Sequence, residues 1–190
     1  MKTTTLAGVL ASIALGTATA HAQPLPLQNA AITATYNGDP AGMLGLDHQF
    51  ATEPGSNTTG LDPTDTGVEF LTADFLFGID FAASGALTVF ANGAVPTGAY
   101  SMLFDFGSSL ASPVSKFTFV GARGASGVPV LSIVNDHAVA LDLGALTWDE
   151  FGSLNARIDF APAVPEPVGA AMLLVGLAGL ATLKRLRQPR

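Results

Sequence analysis

The sequence predicts an all-β body: an antiparallel β-sandwich of jelly-roll type, with seven or eight strands, spanning residues 23–163. Three observations lead there. Apolar and polar residues alternate with period two in one segment after another, the pattern of strands with one face in a core and one in water. Turn-forming pairs such as Asn37-Gly38, Asn92-Gly93 and Asn135-Asp136 punctuate the segments at close spacing. No substantial helical period runs through the body, and no repeat of solenoid or propeller length is visible. A signal helix at the N-terminus and a transmembrane helix at the C-terminus are expected to flank this body.

The elements follow in order. Residues 31–36 place Ile32, Ala34 and Tyr36 on one face of a strand that Asn37-Gly38 ends. Gly38 to Gly67 reads as a long loop rich in Gly, Pro, Asp, Asn and Thr, broken only by Met43–Leu46 and Phe50. From Val68 to Phe81 a single long strand is expected, with Leu71, Ala73, Phe75, Phe77, Ile79 and Phe81 inward and a kink at Gly78. Leu87–Ala91 is the next strand, and Asn92-Gly93 after it is a strong hairpin signal. Tyr100, Met102, Phe104 and Phe106 share a face, as do Phe117 and Phe119. A glycine-rich turn then leads to Val128–Val134, which Pro129 marks as an edge strand or a strand start. Val139, Leu141 and Leu143 alternate around Asp142. Thr147-Trp148-Asp149-Glu150 has capping-box spacing and predicts one helical turn. Leu154, Ala156, Ile158 and Phe160 form the last strand.

Charge is distributed unevenly. Of eight basic residues only Lys116, Arg123 and Arg157 lie in the body, while all fifteen acids fall between Asp39 and Glu166. Three cations against fifteen acids give residues 23–167 a net charge of −12, compared with −7 for the whole chain. Such a body is a poor match for nucleic acid or an anionic membrane surface, and it attracts cations. With no cysteine, neither a disulfide framework nor thiolate chemistry contributes.

The two ends read as address labels. Met1-Lys2, an apolar stretch over 6–20 and the small residues Ala20 and Ala22 before Gln23 form a secretory signal peptide over residues 1–22, with signal peptidase as the processing partner. At the other end Val164-Pro165-Glu166-Pro167 is a stiff extended element, because each proline fixes φ and restricts the residue before it. Sixteen residues without a charge follow, 168–183. That is short of the ~20 needed to cross a bilayer core, a shortfall that snorkelling cations can cover. Lys184, Arg185, Arg187 and Arg190 then form a basic stop in residues 184–190, on the cytoplasmic side by the positive-inside rule.

Pro165-Glu166-Pro167, a short transmembrane segment and a basic end together resemble the PEP-CTERM sorting signal of Gram-negative bacteria that make exopolysaccharide. The resemblance covers residues 164–190 and implies recognition by the membrane enzyme exosortase. It further implies transient anchoring in the inner membrane, cleavage near Pro165-Glu166-Pro167, and release or anchoring at the cell surface. Leu186, Gln188 and Pro189 depart from an unbroken arginine run. The expected role is that of an exported, non-enzymatic surface or matrix protein associated with exopolysaccharide, the alternative being a carbohydrate-binding module and, behind both, an exported hydrolase.

Within the body, few residue patterns suggest chemistry. Asp62, Asp65 and Glu69 offer oxygen donors that suit Ca²⁺, without the spacing of an EF-hand; Asp and Pro there are also ordinary turn formers, the stronger reading. Asp47-His48 and Asp136-His137 are the body's only His-acid neighbours, too few for a metal centre by themselves. Trp148 is the one tryptophan, either a stacking platform for a glycan or, the stronger reading, a plug at the end of the sandwich. Asn57-Thr58-Thr59 matches a glycosylation sequon and is read as loop chemistry. No Gly-x-Ser-x-Gly elbow and no phosphate-cradling loop occur.

Overall fold

The computed structural model describes residues 25–46, 56–61 and 67–162. The signal segment and the C-terminal tail, with their cleavage and sorting residues and the expected helices, lie outside the described residues. Among the described residues, no helix is long and apolar enough to cross a membrane.

The first strand forms where its alternation places it. β1 (Ala31–Tyr36) turns Ile32, Ala34 and Tyr36 into the core. Asn37 and Gly38 both take positive φ, 51° and 78°, so that Tyr36 and Asp39 exchange backbone hydrogen bonds of 3.1 and 2.9 Å. Asp39 then caps a single 3₁₀ turn, Pro40–Gly42, by accepting from the Ala41 N–H at 2.9 Å.

Ten more strands follow: β2 (Met43–Gly45), β3 (Thr58–Gly60), β4 (Phe70–Thr72), β5 (Phe77–Phe81), β6 (Ala86–Ala91), β7 (Ser101–Asp105), β8 (Val114–Ser126), β9 (Val130–Asn135), β10 (Ala138–Asp142) and β11 (Thr147–Phe160). A second 3₁₀ turn, Gly107–Ser109, follows β7. The strands form two sheets, a five-stranded one in the order β3-β1-β7-β10-β9 and a six-stranded one in the order β2-β4-β5-β6-β11-β8. Every pairing is antiparallel.

The two sheets face one shared core, a sandwich-like arrangement. Phe104 on β7 meets Phe70 and Phe81 of the other sheet at ring distances of 6.1 and 5.0 Å, the closer pair edge to face. Tyr36 on β1 meets Phe77 on β5 at 6.4 Å. Phe77 is the hub of the aromatic cluster at that end, touching Tyr100 at 5.3 Å and Trp148 at 5.4 Å. At the opposite end the described chain's two termini come together: Leu25, Pro26, Ala161 and Pro162 line one cavity of about 560 Å³ beside Ser84 and Arg157.

Several expectations need correction. The described residues hold eleven strands, where seven or eight were expected. The single strand expected from Val68 to Phe81 is a hairpin of β4 and β5. Asp74 makes the turn, its Oδ1 accepting from the Thr72 hydroxyl at 2.6 Å and the Leu76 N–H at 3.1 Å. The four turn residues swap the parity of the pattern, so Phe70 and Thr72 face the core before the turn and Phe77, Ile79 and Phe81 after it. Leu71 is half-buried on the outer side, and Phe75 stands exposed in the turn. Gly78 makes no kink and pairs regularly with Leu71 and Phe90.

Asn92-Gly93 closes no hairpin, since β6 pairs with β5 and β11 and the chain crosses to the other sheet before β7. Instead Asn92 seals the β4–β5 turn, its Nδ2 donating to the Phe75 carbonyl at 3.1 Å. The glycine-rich segment before Val128 is strand for most of its length, part of β8. The expected 38–67 loop contains β2 and β3.

Thr147–Glu150 starts no helical turn, being the first part of β11. The cause is non-local. Trp148 pairs with Ala125 and Ser153 with Arg123, so residues 149–152 bulge out opposite Gly124 alone. Gly152 and Gly124 cross so closely that a Cβ on Gly152 would overlap the Gly124 carbonyl. The expected edge position of Val128–Val134 matches β9, which ends its sheet just after Pro129.

Candidate functional site

Of the three acidic candidates, Asp62 and Asp65 lie outside the described residues. Glu69 is fully buried, and its Oε2 accepts from the Phe81 N–H at 2.7 Å while its own N–H bonds the Ile79 carbonyl at 2.9 Å. Its carboxyl is tied into β5 and serves the start of the β4–β5 pair. Among the described residues, no group of three or more His, Asp or Glu side chains converges as metal ligands.

Trp148 is 8% exposed and lies against Phe77, so its indole face is packed inside the body and not open to a sugar ring. Its Nε1 is buried without a hydrogen-bond partner. Asn57 of the sequon is engaged with β1, its Nδ2 donating to the Ala34 carbonyl at 2.9 Å and its carbonyl accepting from the Ala34 N–H at 2.8 Å.

His137 pairs with a residue the sequence did not suggest. Asp47 and His48 lie outside the described residues. The β7–β10 register sets Ala138 opposite Asp105, which brings the neighbouring His137 Nδ1 to 2.7 Å from Asp105 Oδ1. Desolvation raises the Asp105 pKa, but the Gly107 N–H and the His137 side chain outweigh it and hold the carboxyl below its ordinary value. Both side chains are more than a third exposed, so the pair is a surface contact.

On the same outer face of the five-stranded sheet lies a groove of about 410 Å³ lined by Thr35, Ser101, Ser132, Ala140 and Asp142. A second hollow of about 400 Å³, lined by Thr97 and Gly144, continues it and shares Val130 and Asp142. Asp142 is held by the Gly144 N–H at 2.8 Å. Three hydroxyls and one carboxylate on a rigid sheet are suited to hydrogen bonding with a hydroxyl-rich ligand; they form no nucleophile–base pair. Only the β-strand register reveals this set, because its members come from four separate strands.

Two exposed aromatics were also missed. Phe75 and Phe151 are 62% and 71% exposed and both hold a φ of 59°, in the region that disfavours side chains with a Cβ. Near Phe75, the Tyr36 hydroxyl donates to Asp74 Oδ2 at 3.0 Å. Burial pushes the Tyr36 phenol well above its ordinary value, reinforced by that bond, by the charge of Asp74 and by Tyr100.

Compared with known proteins, the chain matches no family model, no curated protein and no solved structure.

Proposed function

We propose that the chain is an exported cell-surface or extracellular-matrix protein, sorted through its C-terminal tail by an exosortase-type enzyme. Its body, read as a jelly-roll β-sandwich without catalytic activity, binds or scaffolds exopolysaccharide. The observation that carries this reading is the order of three elements at 164–190: Pro165-Glu166-Pro167, sixteen uncharged residues and four cations, in a chain that starts with a signal-like segment. The intact mass of the protein recovered from producing cells and their medium tests it. A species running from about Gln23 to about Pro167 is expected. A species that retains residues 168–190 would make the tail a permanent anchor. Truncation after Pro162 is expected to abolish the address, and unchanged localisation would overturn the sorting assignment.

A second reading, a glycan-binding module, is favoured by the groove of Thr35, Ser101, Ser132 and Asp142. Ser101→Ala with Asp142→Ala would then abolish retention on a polysaccharide column, while a non-binding scaffold would elute unchanged. Ca²⁺ enters that reading only through Asp62 and Asp65, and a thermal shift on adding Ca²⁺ is its test.

A further inference from the structure

β8 and β9 are the free edges of the two sheets, each with a single neighbour, and only Gly127, Val128 and Pro129 separate them in the chain. Along this side the core is only partly covered by the described residues. Phe119 pairs with Ala156 and Ile133 with Val139, both at core-facing register, yet Phe119 is 36% and Ile133 41% exposed. Their partners Ala156 and Val139 are buried. The opposite edges are closed: Met43 on β2 and Thr59 on β3 are both buried. Val120, Val128, Val130 and Val134 add exposed apolar surface to the open side.

Edge strands of soluble proteins are ordinarily blunted by charge, by shortness or by a cover. β9 has none of the first: Val128 to Asn135 contains no charged residue. The wider segment 114–135 contains no acid, although residues 23–167 hold fifteen, and it carries Lys116 and Arg123, two of the body's three cations. Two copies of a body with a net charge of −12 repel each other over most approaches. This side is where that repulsion is weakest and where apolar surface and unpaired strand groups coincide.

We infer that β9 pairs antiparallel with β9 of a second copy of this chain about a twofold axis near Ser132, joining two five-stranded sheets into one of ten. In that register Leu131 faces Ile133 of the other copy and Val130 faces Val134, the residue at which β9 bulges opposite Ala138 and Val139.

Sedimentation velocity of the full chain in a mild detergent, wild type against Val130→Lys/Ile133→Lys, is the test. The two substitutions fall on exposed positions, and an unchanged circular dichroism spectrum checks the fold. The wild type is expected to sediment as a dimer, and the double variant to associate with a dissociation constant about tenfold or more higher. A dimer unaffected by the two lysines would overturn the inference, because the tail common to both chains would then be the contact. A wild-type monomer would overturn it too, and protection of the β9 amides from exchange in that monomer would place a segment of the same chain on the edge. The register has its own readout, since the chain has no cysteine. Ser132→Cys is expected to give a disulfide-linked dimer on mild oxidation, and Thr33→Cys, exposed on the interior strand β1, to give none. Equal cross-linking of the two would rule out pairing about Ser132.

Discussion

Glu69 accepts a 2.7 Å hydrogen bond from the backbone N–H of Phe81, at a position closed to solvent. A buried carboxyl that holds a strand's backbone is costly to truncate, because the N–H it serves is left without an acceptor. Glu69→Leu is therefore expected to lose about 1–3 kcal/mol of stability, and Glu69→Gln, which keeps an acceptor oxygen, about half of that or less. Urea denaturation of the two variants checks the order. Equal losses would mean that shape, and not the acceptor, matters at this site.

Phe75 and Phe151 gain little from burial and carry a backbone conformation that disfavours any Cβ. Replacing either with Gly is expected to raise stability by about 0.5–1 kcal/mol, the relief at φ exceeding Gly's added freedom in the unfolded chain. A fall in the thermal midpoint instead would show that the ring itself contributes packing.

The lone tryptophan reports on its own surroundings. Trp148 is expected to emit to the blue of free tryptophan, to resist quenching by iodide and to shift red on unfolding, because its ring is packed on Phe77 and its Nε1 lacks a partner. Adding glycans is expected to leave its fluorescence unchanged. Quenching by an oligosaccharide would place the sugar near this end of the core.

The folded-state pKa of Asp105 lies below its unfolded value, so its carboxylate adds stability above the unfolded pKa, and that contribution is lost as pH falls through the folded one. Asp105→Asn is expected to flatten the acid limb of a stability profile measured from about pH 7 to about pH 3. The effect is small, because the pair with His137 is open to water. A profile identical to that of the wild type would mean that the Gly107 and His137 contacts do not favour the ionised form.

Phe104 sits between Phe70 and Phe81 and is fully buried. Phe104→Ala is expected to cost about 3–5 kcal/mol, measurable as a fall in the denaturation midpoint. A loss below about 1 kcal/mol would mean that the two sheets are not held together through this contact.

The parts of the fold that were legible in the sequence are those where one strand fills one apolar pattern. Ile32, Ala34 and Tyr36, Val139 and Leu141, and Leu154, Ala156 and Ile158 all face the core as their alternation requires. The period could not reveal where a turn hides inside an unbroken pattern. Ala73, Asp74 and Phe75 keep the apolar–polar rhythm while the chain reverses, with Leu76 the exception, so the core-facing positions change from even in β4 to odd in β5. Asn92-Gly93 and Thr147–Glu150 failed for the opposite reason. Both are local signals, and which strands pair is decided by contacts far away in the chain. The Asp105–His137 contact and the groove around Asp142 depend on cross-strand register, which the sequence does not print.

Leu25 and Pro162 line the same cavity, so the body leaves and enters its flanking segments at one pole. The same closeness makes the starting point of the chain arbitrary for the fold. A short linker from Pro162 to Leu25, with new ends opened in the exposed 96–99 segment between β6 and β7, would rethread the polypeptide without asking any strand to change its neighbour.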